Sequence, residues 1–191
     1  MTETVAIGKL NFLPVIENLE LVAEPVRKCL TEGPFSQYAD EIFVSEIDPG
    51  FADTAQFCEF YEIGLEVSAN TIVVEAKRGD RRWYAMCNVL ATTKADVNKA
   101  VRKFLEAKSV SFASMDFAVA ETGMEYGGIG PIGAPESWPF LIDSRVLEPE
   151  YVVIGSGIRG SKIATSGKIL SQLSNATVID EMAINIEVEG L

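Results

Sequence analysis

The chain has 191 residues and a mass of 20.8 kDa, with 48% hydrophobic and 23% charged side chains and a formal net charge of -12 at pH 7. That is one domain's worth of chain with enough apolar content for a core, which excludes a disordered, collagen-like or coiled-coil protein. Histidine is absent, so Ser-His and Cys-His relays are excluded, and catalysis must use carboxylates, lysine, tyrosine, backbone amides or the substrate's own groups. Cys29, Cys58 and Cys87 form no C-x-x-C pair and are odd in number, which points to buried free thiols and implies no metal. No apolar run approaches the ~20 residues of a membrane span, and Met1-Thr2-Glu3-Thr4-Val5 lacks the basic start of a signal peptide. A soluble cytoplasmic protein without a membrane partner is expected.

In chain order, Glu24-Pro25-Val26 opens a short helix to about Thr31, because proline is tolerated in a first turn, and Gly33-Pro34 ends it. Glu41 to Ile47 alternates as a strand does. Asp53 with Gln56 has capping-box spacing and starts a helix closed by Gly64. Thr71–Glu75 and Trp83–Leu90 flank Arg78-Gly79-Asp80 as a hairpin. Thr93 and Asp96 give a capping signal for a helix of about three turns carrying Val97, Ala100, Val101, Phe104 and Leu105. Val110 and Phe112 mark a strand, Ser114 a cap, and Met115 to Thr122 a helix stopped by Gly123. Strands are expected at Phe140–Ile142, Tyr151–Ile154 and Ala176–Ile179, with a helix from about Lys168 to Leu173. The tally is an α+β domain with more hairpins than βαβ units, parsed as an N-terminal extension over 1–48 packed on a domain over 49–191.

Charge is unevenly spread. From Glu75 to Lys108 nine basic residues face four acidic ones, a local balance of +5 that leaves -17 elsewhere. This segment reads either as a surface for an anionic ligand or as a hairpin turn and a solvated helix face.

Glycines concentrate in 123–133 and in 155–160, and both stretches contain G-x-G-x-x-G. Neither makes a good dinucleotide site. Pro131 removes an amide from the first, and no helix can follow through Ala134-Pro135. After the second, Ser166-Gly167 interrupts the helix that would receive a pyrophosphate, and only eleven residues follow Asp180.

Three ordered motifs remain: Gly123-x-x-x-Gly127-Gly128-Ile129-x-Pro131-x-Gly133, then Pro139-x-x-Ile142-Asp143, then Gly155-Ser156-Gly157-x-Arg159-Gly160. Together they resemble the YbaK family of aminoacyl-tRNA deacylases, which includes the editing domain inserted in bacterial prolyl-tRNA synthetases. The resemblance covers roughly residues 50–185. It implies a curved, mostly antiparallel sheet with surrounding helices, and a trans-editing hydrolase that cleaves the ester of a mischarged tRNA without a cofactor. It also implies that Gly127 and Gly128 are catalytic and approach the ester or terminal ribose, that Gly123, Gly130, Pro131 and Gly133 of the same loop bind substrate, with Pro131 holding the turn rigid, and that Gly155, Ser156 and Gly157 form the opposite, substrate-binding wall. Asp143 would either order its loop or bind the substrate amine, and Arg159 would be either a phosphate contact or an ordinary surface arginine.

Two departures accompany the match. Where the family carries a catalytic lysine before the Thr-apolar-Val-Val strand, this chain has Asn70, and Gly130 stands where a serine is frequent. Losing the cation weakens a charge-assisted bond and would cost on the order of ten- to a hundredfold in rate. Lys77 and Lys162 are the alternatives for supplying it. The expectation is therefore a deacylase of reduced activity that acts on the acceptor end of tRNA, alone or delivered by an aminoacyl-tRNA synthetase. The alternative is a protein that binds aminoacyl-tRNA or a small ligand without turnover.

Overall fold

In the computed structural model, which describes residues 4–186, the chain forms two five-stranded sheets and a two-stranded ribbon with helices between and around them. Strands β1 (Val5–Ile7) and β2 (Leu10–Pro14) precede helix α1 (Glu24–Thr31) and strand β3 (Phe43–Glu46). Helix α2 (Thr54–Tyr61) leads into the hairpin β4 (Ala69–Arg78) and β5 (Arg81–Leu90), then β6 (Thr93–Ala95). A π-helical turn at Val97–Val101 runs into α3 (Arg102–Phe104), followed by β7 (Ser109–Phe112) and α4 (Met115–Thr122). The remainder comprises β8 (Phe140–Asp143), β9 (Val152–Gly155), β10 (Ser161–Thr165), α5 (Gly167–Leu170), β11 (Ala176–Ile179) and β12 (Ala183–Asn185).

The first sheet has the order β1-β2-β3-β10-β9 and is antiparallel throughout. The second has the order β11-β8-β5-β4-β7, with β8 parallel to both its neighbours. A parallel bridge between Ser68 and Val153 joins β9 to the foot of β4, where the two sheets meet. The result is the expected curled, mostly antiparallel α+β architecture.

Period-2 alternation assigns each strand to two cores. Met86, Phe140, Ile142, Ile154 and Ile163 point into the space between the sheets, and α1 and α4 close its edge through Val26, Leu30 and Ala118. On the outer face of the second sheet, Val74, Cys87 and Leu141 pack under Val101 and Leu105. On the outer face of the first, Phe43, Val153 and Ala164 pack under Phe57 of α2. Full burial of side chains of this size contributes about 1.5–3 kcal/mol each. Residues 4–47 belong to this framework, because β3 pairs directly with β10.

Local expectations hold where a cap or turn fixes them. Helix α1 carries Pro25 in its first turn, and α4 begins at Ser114, whose Oγ accepts from the Phe117 N–H, and ends at Gly123. They fail where tertiary pairing competes. Residues 93–95 form β6 against β12, and the Asp96 N–H donates to the Met182 carbonyl, so the expected three-turn helix starts only after Asp96 and is short and wide. Asp53 stands at the N-cap of α2 without making the capping bond, and α2 ends at Glu62, before Gly64. The stretch after Gly160 is a strand, β10, so no helix N-terminus faces a dinucleotide there. All three cysteines are free, and burial pushes the Cys87 thiol up to about 12.

Asp143 ends β8 with its side chain buried. Its carboxylate accepts from Arg145 Nε at 2.7 Å and Nη2 at 3.0 Å, from the Arg145 amide at 3.2 Å and from the Ala183 amide at 2.8 Å. Arg145 continues to Asn185 Oδ1 at 3.0 Å, so the pair docks β12. Burial alone would raise the Asp143 pKa, but the guanidinium and the two amides outweigh it and hold the carboxyl below its ordinary value. The stabilisation is fully present above the unfolded-state carboxylate pKa and is lost as pH falls through the lower folded value. Asp143→Ala is expected to destabilise the fold by roughly 3 kcal/mol at pH 7, read by urea unfolding, with the difference from wild type closing at acidic pH.

Candidate active site

The junction of the two sheets opens into a cavity of about 410 Å³, within the ~300–1,000 Å³ typical of small-ligand sites. Its apolar lining includes Ile72, Val73, Ala118, Ile129, Val153 and Ile154. Its polar lining includes Asp53, Thr54, Ser68, Asn70, Thr71 and Lys162. Phe112, Met115 and Tyr126 line it while remaining exposed.

Three successive residues at the start of α2 organise the polar lining. The Ala52 carbonyl accepts from Lys162 Nζ at 2.9 Å. The Asp53 carboxylate, free of any capping bond, faces Arg159 Nη1 at 3.5 Å. Thr54 Oγ1 donates to Asn70 Oδ1 at 2.5 Å. Asn70 is further fixed through its backbone carbonyl, which accepts from Asn88 Nδ2 at 3.2 Å, and the same amide reaches Thr71 Oγ1 at 3.1 Å. Asn88 Oδ1 is buried and has no partner among the described residues.

The two glycine loops meet, but not across open space. The Gly157 N–H donates to the Gly128 carbonyl at 2.7 Å. A Cβ at Gly128 would sit 2.6 Å from the Ile158 carbonyl carbon, and one at Gly130 would overlap the Gly155 carbonyl oxygen. Only glycines allow this backbone-on-backbone crossing. Of the candidate residues, Asn70, Gly127 and Gly155 line the cavity. Gly128 lies just behind them, and its N–H is spent on the Glu125 carbonyl at 3.0 Å. Gly123 closes α4, while Pro131 and Gly133 lie beside α1 on a separate groove.

Ser156 and Asp143 are likewise away from the cavity. Ser156 Oγ lies 2.6 Å from Ser161 Oγ, and its carbonyl accepts from the Ala23 amide. Arg159 is anchored beside the mouth, donating to the Pro49 carbonyl at 3.1 Å and the Tyr126 carbonyl at 3.3 Å, with its guanidinium 5.8 Å from the Tyr126 ring.

Lys162 lies on β10, the strand next to the β9 edge of the first sheet and buried at every position. Its cross-strand neighbour on β9 is Gly155, whose missing side chain leaves it room. The ammonium is 8% exposed at the residue level and lies 5.0 Å from the Phe57 ring centroid. The other lysine considered, Lys77, is bound at the far end of the hairpin to Glu75 at 2.5 Å, and Arg82 shares that carboxylate. The signal for Lys162 in the sequence was a lone charge inside the uncharged run Ser161–Thr165, masked by the flanking glycines.

Burial, reinforced by the Arg159 charge, pulls the Lys162 pKa down to about 8 from 10.5, against opposing contributions from Cys58 and Asp53. Burial in turn raises the Cys58 thiol, more than Ser68 and Lys162 lower it. The cavity therefore offers one ammonium that is mostly protonated at neutral pH, an amide, hydroxyls and an exposed carboxylate at the rim. Such a set can hold a polarised carbonyl oxygen without a metal.

The family model for the aminoacyl-tRNA editing domain matches residues 48–173, roughly two thirds of the chain, and the chain belongs to that family. Among solved structures, a hypothetical protein superposes with a TM-score of 0.71 at 15% identity, over 84% of this chain and 100% of the other. A proposed trans-editing enzyme for prolyl-tRNA synthetase gives a TM-score of 0.67 at 17% identity, over 83% and 97%. A proposed signal transduction protein from Marinobacter aquaeolei VT8 gives 0.58 at 16% identity, over 84% of this chain and 30% of that one. At these identities the likeness establishes the fold, and the family match ties it to aminoacyl-tRNA editing. No helix among the described residues is long and apolar enough to cross a membrane.

The buried ammonium also sets a stability prediction. The unfolded chain binds the Lys162 proton more tightly than the folded one, so the penalty is fully present below pH 8 and is relieved as pH rises from about 8 to 10.5. Its size is of order 3 kcal/mol. Lys162→Met is expected to raise stability by about 1–3 kcal/mol at pH 7 after loss of the Ala52 bond, with the gain vanishing by about pH 10.5, measured by urea unfolding of both proteins across that range.

Proposed function

We propose that this protein is a trans-editing aminoacyl-tRNA deacylase, which hydrolyses the ester between a wrong amino acid and the terminal ribose of tRNA. The observation that carries the reading is the cavity inside the family-matched segment, walled by Gly127 and Gly155 from the two glycine loops and by Asn70 of β4. Its volume suits an aminoacyl group with part of its ribose, so the acceptor end enters while the tRNA body stays outside. The -17 balance beyond the 75–108 segment disfavours strong capture of that body, which supports recognition limited to the acceptor end or delivery by a synthetase. The chemistry is addition of water to the ester carbonyl, with hydrogen-bond donors of the cavity stabilising the oxyanion. One such donor is commonly worth about 3 kcal/mol.

A second reading is favoured by one observation. Asn70 presents a neutral amide, already bonded to Thr54, where the family resemblance places a lysine. On that reading the protein binds aminoacyl ends without turning them over.

Incubation with a panel of mischarged tRNAs separates the two, alongside titration with non-hydrolysable 3′-aminoacylamino-3′-deoxyadenosines carrying the same amino acids. The deacylase reading expects ester loss well above the buffer rate for at least one tRNA. Binding of the amides with no ester loss anywhere in the panel establishes the binding protein instead.

A further inference from the structure

We infer that Lys162 is a catalytic residue of this cavity: its ammonium, delivered from β10 rather than from the β4 wall where Asn70 stands, holds the ester carbonyl oxygen during hydrolysis. The inference rests on the deacylase reading above and specifies the group that would make it work.

Among the described residues that line the cavity, Lys162 carries the only cation. An ammonium has three N–H donors. One is used by the Ala52 carbonyl at 2.9 Å, and no carboxylate lies within ion-pair distance of Nζ among the described residues. A lysine this buried, with no counter-ion and donors to spare, is costly to the fold, and its packing against Phe57 does not discharge that cost. A ligand oxygen that acquires negative charge does. The polar side chains Thr54, Ser68, Asn70 and Thr71 that line the cavity with it are neutral. The charged or titratable groups that act on Lys162 are Asp53 and Cys58 from α2 and its entry, and Arg159 from the second glycine loop. Asp53 is already turned to Arg159 at 3.5 Å.

In the step itself, the oxygen of a water adds to the ester carbonyl carbon while the carbonyl electron pair moves onto its oxygen, where a Lys162 N–H receives it. The pair then returns, the bond between the carbonyl carbon and the ribose oxygen breaks, and the proton lost by the attacking water ends on that ribose oxygen. Free amino acid and a tRNA hydroxyl result. Lys162 remains protonated throughout.

The experiment compares wild type, Lys162→Met and the double variant Asn70→Lys/Lys162→Met against the mischarged-tRNA panel from pH 6 to 9.5. Lys162→Met is expected to lose about 100-fold in kcat on the best-cleaved ester, as removal of a single oxyanion donor does elsewhere, with KM changed by no more than a few fold. The wild-type acceleration over buffer falls as pH rises through about 8, where Lys162 gives up its proton. Placing the cation at position 70 in the double variant recovers at least tenfold over the single variant and shifts that fall to higher pH. Wild-type kcat in Lys162→Met would overturn the inference and leave the deacylase reading intact. Wild-type protein that neither cleaves any ester nor binds any 3′-aminoacylamino-3′-deoxyadenosine removes the deacylase reading and this inference with it.

Discussion

Three of the polar groups around this cavity are held by one short stretch of chain, Ala52-Asp53-Thr54. Its carbonyl, carboxylate and hydroxyl reach, in turn, a lysine of β10, an arginine of the second glycine loop and an asparagine of β4. Arg159 and Lys162 are near neighbours in the chain and Asn70 lies far from both, on the other sheet, and among the described residues the bridge that joins those sheets is Ser68 to Val153. The entry to α2 is therefore the clamp that sets the relative positions of two walls. It is held down by Phe57, buried against Phe43 and Ala164 on the outer face of the first sheet. Packing on one side of that sheet thus fixes electrostatics at its edge.

Much of the architecture was readable where local chemistry decides it. Pro25 inside the start of α1, Ser114 before α4 and Gly123 after it, and the Gly79-Asp80 turn of the β4-β5 hairpin each impose a backbone state that no distant contact needs to supply. The misreadings fall where a distant contact intervenes. Asp53 had the spacing of a capping box, yet its carboxylate turns to Arg159, 106 positions along, because a cation at the cavity mouth offers it more than a neutral N–H. Thr93 had the look of a helix cap and instead enters a strand pair with Asn185, donating its hydroxyl to the Leu90 carbonyl. The most consequential omission was β10. A five-residue run between two glycine-bearing segments gives little periodic signal, and only the three-dimensional pairing with β3 and β9 makes it central.

The same division applies to the site. The glycine motifs located the loops, since close backbone approach is a requirement that a sequence states openly. What those loops do could not be read from them. Gly128 and Gly130 serve the crossing with 155–158, and Ser156 serves the Ser161 contact, so several residues of the motifs build the wall without lining it. The cation, by contrast, was visible as a letter but not as a position, because the depth of a lysine depends on which strand flanks it. Here the flank is Gly155.

The interlocked main chains of the two glycine loops have a consequence for how the cavity can be altered. A contact made of backbone on backbone admits no added methyl on either side, so the crossing points themselves offer no side chain to vary. The rim carries Phe112, Met115 and Tyr126, large and solvent-facing, on β7, on α4 and within the first glycine loop itself. On the proposed function, discrimination among acyl groups is adjusted from that rim. Two related proteins could share the same hinge of interlocked loops and yet sort different cargo by exchanging three replaceable teeth.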